Sequence, residues 1–133
     1  MRILVAVLFL GVACEAWAEC GKLCHYDWWK NATPTDLQAE LNAGADVTAR
    51  GDFNGPSDTL TPLHWAAQAS IPENIQALVA AGADVMARDK AGKTPWDLAQ
   101  TTQGLKGTNA YTALGKATCG SGYWFKNLVG LCG

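Results

Sequence analysis

Thr61-Pro62-Leu63-His64-Trp65-Ala66-Ala67 is the stretch whose reading decides the fold, and Thr94-Pro95-Trp96-Asp97-Leu98-Ala99 is its echo. The two Thr-Pro pairs stand 33 residues apart. A second pair of echoes lies around them: Gly44-Ala45-Asp46-Val47 and Gly82-Ala83-Asp84-Val85, followed by Thr48-Ala49-Arg50 and Met86-Ala87-Arg88. Their spacing is 38, because the segment between Arg50 and Thr61 is five residues longer than its counterpart. Self-similarity at a period of this size is the mark of a repeat array, so it is read before any single element.

The residues say why each unit is helical. Thr61 can cap a helix with its hydroxyl. Pro62 stands at the first helical position, where no backbone donor is needed and φ is already helical. Leu63, Ala66 and Ala67 fall on one face at three- and four-residue spacing. The two alanines let a second helix come close. Ser70-Ile71-Pro72-Glu73 has the form of a capping box for that second helix. Ile75, Leu78 and Val79 supply its apolar stripe, and Gly82 closes it in the left-handed conformation glycine favours. The first unit repeats the logic, with Thr33-Pro34 opening, Leu37 and Leu41 as the stripe and Gly44 closing. Tyr26 to Ala32, with Trp28 and Trp29, reads as the helix before it, shielding the open end of the stack. In the third unit Asp97 favours a helix start after Thr94-Pro95. The glycine-bearing stretch 101–109 then breaks the pattern, and 109–114 reads as a closing helix ending near Gly115.

This sequence resembles the ankyrin repeat, whose period is 33 and whose hallmark is Thr-Pro-Leu-His-x-Ala. Thr61 to Ala66 agrees with that hallmark at every fixed position. The resemblance spans about Tyr26 to Ala117 and implies an all-α fold: a short solenoid of helix-turn-helix units with hairpin fingers, about two and a half repeats. It implies structural roles for Thr61, Pro62, Leu63, His64, Ala66, Thr94, Pro95, Gly44 and Gly82. His64 in particular hydrogen-bonds within and between repeats in such arrays, and no acid, thiol or second histidine accompanies it as a catalytic or metal group would need.

Outside the repeats the sequence carries an address. Met1-Arg2 is a positive start, Ile3 to Ala13 is an apolar run interrupted only by Gly11, and Ala16-Trp17-Ala18 offers small residues at the two positions a signal peptidase reads. That is the pattern of a secretory signal peptide. The run is too short for a membrane span of roughly 20 residues. Expected boundaries are 1–18 for the signal peptide, 19–117 for the repeat domain and 118–133 for a Gly- and aromatic-rich tail. Gly11-Val12-Ala13-Cys14 loosely resembles a lipobox, which would instead leave Cys14 lipidated. Cleavage after Ala18 leaves Cys20, Cys24, Cys119 and Cys132, an even set that reads as two disulfides in an exported chain, with three pairings open. A zinc site on Cys20, Cys24 and His25 is disfavoured by spacing and by an oxidising compartment. The tail, with Tyr123, Trp124 and Phe125, reads either as a cap over the last repeat or as an exposed sticky segment.

Function follows from the resemblance. Ankyrin arrays bind partners on their fingers and inner helices, so a protein partner is expected, in a periplasmic or secreted setting. Inserted residues in such arrays fall on loops, often on the binding side. The long first finger therefore nominates Phe53 and Leu60, with Arg50, Arg88 and Trp65 beside them as residue types favoured at interface hot spots. Asp46 with Arg50, and Asp84 with Arg88, are expected to pair across each finger rim. An enzyme is not expected: the chain has no nucleophile elbow, no phosphate loop and no His-Glu-x-x-His. No cofactor, metal or small-molecule substrate is expected. A net charge of −2 offers no basic patch for nucleic acid. The protein reads as an inhibitor, immunity factor or assembly helper. The alternatives are an accessory subunit that stabilises an exported enzyme, and a secreted effector.

Overall fold

The computed structural model describes residues 21–51 and 60–120. A 3-10 turn, Gly21–Cys24, leads into six α-helices: α1 (Tyr26–Trp29), α2 (Pro34–Asn42), α3 (Pro62–Ala69), α4 (Pro72–Ala80), α5 (Pro95–Thr101) and α6 (Asn109–Cys119). α3 pairs with α4 and α5 with α6, α1 and α2 each pack on the 3-10 turn, and the units stack. One row runs α1, α3, α5, and the other α2, α4, α6. The architecture is the expected all-α solenoid.

Three helices begin the same way. Thr33, Thr61 and Thr94 are extended residues, each followed by a proline in the first turn. At Thr33 the hydroxyl accepts from Asp36 N at 3.2 Å while the Asp36 carboxylate accepts from Thr33 N at 2.9 Å. Thr94 and Asp97 repeat that exchange at 3.2 and 2.8 Å. Each such box satisfies backbone donors a helix start leaves open. These hydrogen bonds also hold the Asp36 carboxyl below its ordinary pKa. Two helices end alike as well. Gly44 and Gly82 both have φ of 91°, and Ala45 N and Ala83 N reach back to Glu40 O and Leu78 O at 3.1 and 3.0 Å. Glycine bears that backbone at no steric cost.

Between the rows lies one apolar core. Leu23, Trp29, Leu37, Leu63, Ile75, Leu78, Trp96, Leu105 and Leu114 are all fully buried. Trp29 belongs to the end cap, as its sequence position suggests, and its Nε1 donates to Leu23 O at 2.8 Å. Asn74 ties the first two units together, donating from Nδ2 to Ala32 O at 3.1 Å inside the core.

Two expectations change. Ser70 does not cap the second helix. Only Ser70 and Ile71 separate α3 from α4, and so abrupt a reversal takes a left-handed residue. Ser70 is that residue, with φ of 58°, whereas an N-cap needs an extended one. Its hydroxyl donates instead to Gln103 O at 3.0 Å. The third unit is also more complete than its glycines suggest. The stretch 102–108 is an inserted loop pinned by buried Leu105, and α6 runs through Gly115 to Cys119 rather than stopping there. Ala110, Leu114 and Cys119 keep one buried face along it, which outweighs the roughly 1 kcal/mol a mid-helix glycine costs. The incomplete unit is the first, where α1 is a single turn.

Candidate partner-binding face

The two fingers project from the stack after α2 and α4, and each is built by an aspartate. Asp46 Oδ1 accepts from Thr48 N at 2.7 Å, and Asp84 Oδ1 accepts from Met86 N at 2.9 Å. Bonds from Thr48 lower the Asp46 pKa. These carboxylates are therefore committed to their own turns. The expected rim pairs Asp46–Arg50 and Asp84–Arg88 do not form, and the two ion pairs among the described residues are Lys22–Glu40 and Lys30–Asp27. The arginines turn to backbone carbonyls. Arg50 Nη1 donates to Arg88 O at 2.9 Å, and Arg88 Nη1 donates to Gly92 O at 2.7 Å. Arg50 thus holds one finger to the next. Both guanidinium residues stay exposed.

At the base of the long finger, Gly51 and Leu60 form an antiparallel bridge, with Gly51 N donating to Leu60 O at 3.1 Å. Gly51 is buried against the cap. A Cβ placed on it would come within 2.7 Å of Cys24 Cβ, closer than packed atoms tolerate. Leu60 is half-buried at this root. Phe53 lies outside the described residues, as do Cys20 and Cys132. Cys24 is half-buried in the 3-10 turn, and Cys119 is buried in the last turn of α6.

Trp65 is a correction. It is only 6% exposed and belongs to the core, with its ring 5.5 Å from Tyr26 in a tilted contact. Indole burial there follows from the α1 turn closing over α3, which the sequence does not announce. Among the described residues the exposed aromatic is Tyr26, with Lys30 Nζ 4.5 Å above its ring.

His64 occupies the inner corner behind the fingers. Nε2 lies 3.1 Å from Lys93 O, and a carbonyl only accepts, so Nε2 carries the proton. Nδ1 then accepts from Thr61 N at 3.2 Å and from Thr61 Oγ1 at 2.8 Å. The ring fills the capping role that Asp36 and Asp97 play elsewhere and also bonds to the next unit. Burial lowers its pKa, against the opposing pull of the Lys93 carbonyl and of Asp89. Bonded to its own cap through one ring nitrogen and to the next unit through the other, His64 gives this corner the chemistry of a joint.

Two residues of the face escaped the sequence reading. Met86 is 48% exposed on the second finger. The signal was present, since Met86 stands where the first finger has a polar Thr48. Asp89 builds the tip, with Oδ1 accepting from Ala91 N and Lys93 N at 2.8 and 2.9 Å. An Asp three residues before a Gly is a turn cue. The face that results has Arg50 and Arg88 aligned, Met86 open between turns, and Leu60 at the root.

A family model of the ankyrin repeat matches residues 58–90, which take in α3, α4 and the start of the second finger. No curated protein matches the chain.

Proposed function

We propose that the chain, which matches an ankyrin-repeat model over residues 58–90, is an exported ankyrin-repeat module that grips a partner protein and performs no catalysis. Ankyrin repeats are protein-interaction modules whose extended surfaces serve recognition. The observation that carries the reading is the aligned finger row, where Arg50 bridges to Arg88 O and Met86 stands 48% exposed. Arginine and exposed apolar side chains on a fixed backbone are what interface hot spots are made of.

The export part of the reading is supported by residues 1–18, with a periplasmic or secreted destination and a mature chain from Glu19. It is supported also by Cys24 and Cys119, members of an even set of four cysteines in residues 19–133 that suits disulfide pairing in an oxidising compartment. Two disulfides would suit a small core that needs staples. No described helix is long and apolar enough to cross a membrane. The repeat domain at 19–117 and the tail at 118–133 complete the organisation proposed.

The test is capture from the exported fraction by the oxidised mature protein, beside an Arg50→Ala, Met86→Ala version shown to fold equally well. One stoichiometric partner held by the first and lost by the second supports the reading. Equal capture by both would remove the finger row as the site. No partner for either, with the fold intact, would overturn the module itself. Phe53→Ala with Leu60→Ala extends the same comparison to the long finger.

A further inference from the structure

We propose that His64 is an acid-operated latch between the two fingers, holding the partner-binding row in one frame at neutral pH and freeing it in acid. The use of such a latch rests on the finger row being the partner face, but its test reads the fingers themselves and needs no partner.

Each finger is closed at its base by one backbone bond. Gly51 N donates to Leu60 O at 3.1 Å in the long finger, and Asp89 N donates to Lys93 O at 2.9 Å in the second. His64 stands between the two closures. Its Nε2–H donates to Lys93 O at 3.1 Å, so the ring shares that carbonyl with the second finger's own closing bond. Its Nδ1 accepts from Thr61 N at 3.2 Å and from Thr61 Oγ1 at 2.8 Å, one residue after Leu60. A single imidazole thus ties the end of the first finger to the end of the second. Arg50, donating to Arg88 O, is an outer tie between the same two fingers.

Only a neutral ring does both jobs, because one nitrogen must donate while the other accepts. A second proton has to go on Nδ1. There it faces the Thr61 N–H, donor against donor, and a backbone donor loses its acceptor in a buried corner. The Thr61 hydroxyl can turn to accept the new proton, but the N–H cannot. Relief comes when the ring or residue 61 moves, and either movement pulls on a finger closure. Burial disfavours the second proton, which keeps the latch shut at neutral pH. The Lys93 carbonyl and Asp89 and Asp84 of the second finger favour it, and Arg50 of the first opposes it. Of the helices packed on α3, α1 bears Tyr26 and Asp27, the latter bonded to Lys30, α4 bears Glu73, and α5 bears Asp97, held by Thr94. The charges that act on the ring therefore come from the fingers it ties.

The experiment follows amide exchange and the His64 ring signals of the oxidised mature chain by NMR, from about pH 7.5 to about pH 4.5. Once the intrinsic rate is divided out, the Gly51, Thr61 and Asp89 amides are expected to lose protection by about tenfold or more. Their midpoint should coincide with the titration of the His64 ring, while the α4 amides keep their protection. His25→Gln is expected to retain this step and His64→Asn to abolish it. Finger amides still protected after the His64 ring has taken its second proton overturn the proposal, as does a step that survives in His64→Asn. Fingers and α4 losing protection together also overturn it, because acid then unfolds the molecule instead of opening a latch. Should His64→Asn fail to fold, the ring signals carry the test alone, and a His64 midpoint apart from that of the finger amides is equally fatal.

Discussion

The second and third helix pairs start from nearly the same letters and use them differently. At the Thr61 corner the third helical position is His64, buried and bonded both to its own cap and to Lys93 O of the next unit. At the Thr94 corner it is Asp97, half-buried, which caps its own helix and reaches nothing further. Between α3 and α4 the chain reverses in two residues, and between α5 and α6 it spends seven. An inner unit must hand its position on to a neighbour, so its polar groups look both ways. An end unit has only to finish itself. The lesson is that the repeat motif specifies a helix start everywhere and a joint only where another unit follows.

The largest test of that contrast lies in the outer row. Leu78 and Leu114 are both fully buried, but α4 is flanked by α2 and α6 whereas α6 has a described neighbour in its row on one side. A cavity at Leu78 has rigid walls on both sides and collapses least. Leu78→Ala should cost about 4 kcal/mol and Leu114→Ala about 2–3 kcal/mol, measured by urea unfolding. Equal losses would mean that the last pair is as firmly walled as the middle one.

Next comes an exchange of the corner residues. His64→Asp keeps an acceptor for the Thr61 cap but removes the donor to Lys93 O and puts a charge in a buried site where a neutral ring stood. Loss of buried hydrogen bonds alone costs about 1–3 kcal/mol, and the charge adds to it. Asp97→His disturbs one cap, worth about 1 kcal/mol. Thermal or denaturant unfolding reads both. An Asp97→His loss as large as that of His64→Asp would erase the distinction between joint and end.

The corner also predicts a pH dependence. His64 has a lowered pKa in the folded protein, so the unfolded chain binds a proton first as pH falls. Stability from this group is complete above about pH 6.5, the unfolded value, and declines as pH falls from there to the lowered folded value. The structural cause is visible: a second proton must go on Nδ1, where Thr61 N–H already points. Each unit of lowering corresponds to about 1.4 kcal/mol. Asp36 and Asp46 have pKa values lowered by hydrogen bonds, so their contribution is present above about pH 4 and is lost as pH falls through their folded values. Stability of the His64→Asn protein against pH should lose the upper step and keep the lower one. An upper step that survives in His64→Asn would assign it elsewhere.

Much of this fold was legible because it rests on local chemistry. Thr-Pro starts, the closing glycines 44 and 82 and the stripe of Ile75 and Leu78 each act within one helix, and period then multiplies them. What stayed hidden depends on contacts between units. Trp65 reads as surface until α1 is known to close over it. Asp46 and Asp84 read as partners of Arg50 and Arg88 until their turns claim them. The end of α6 is set by packing along α4 and not by Gly115. Arg50 and Arg88 lie exposed on the finger row, yet Met86, the most exposed apolar side chain among its described residues, hid inside an echo whose differences matter more than its likeness.

The smallest effect concerns the two-residue reversal itself. Ser70 holds φ of 58°, a conformation that costs a residue with a Cβ about 1 kcal/mol or more relative to glycine. Against that, its hydroxyl donates to Gln103 O at 3.0 Å, joining the middle turn to the inserted loop of the last pair. An exposed neutral bond of this kind contributes about 0.5–1 kcal/mol. Ser70→Gly removes the strain and the bond together, so a net change within about 0.5 kcal/mol is expected. Ser70→Ala keeps the strain and loses only the bond, and should fall below both by about 0.5–1 kcal/mol. If Ser70→Ala equals the parent, the bond to Gln103 contributes nothing, and the inserted loop is held by Leu105 alone. The reversal between α3 and α4 would then be wholly local, with the last pair deriving no support from it.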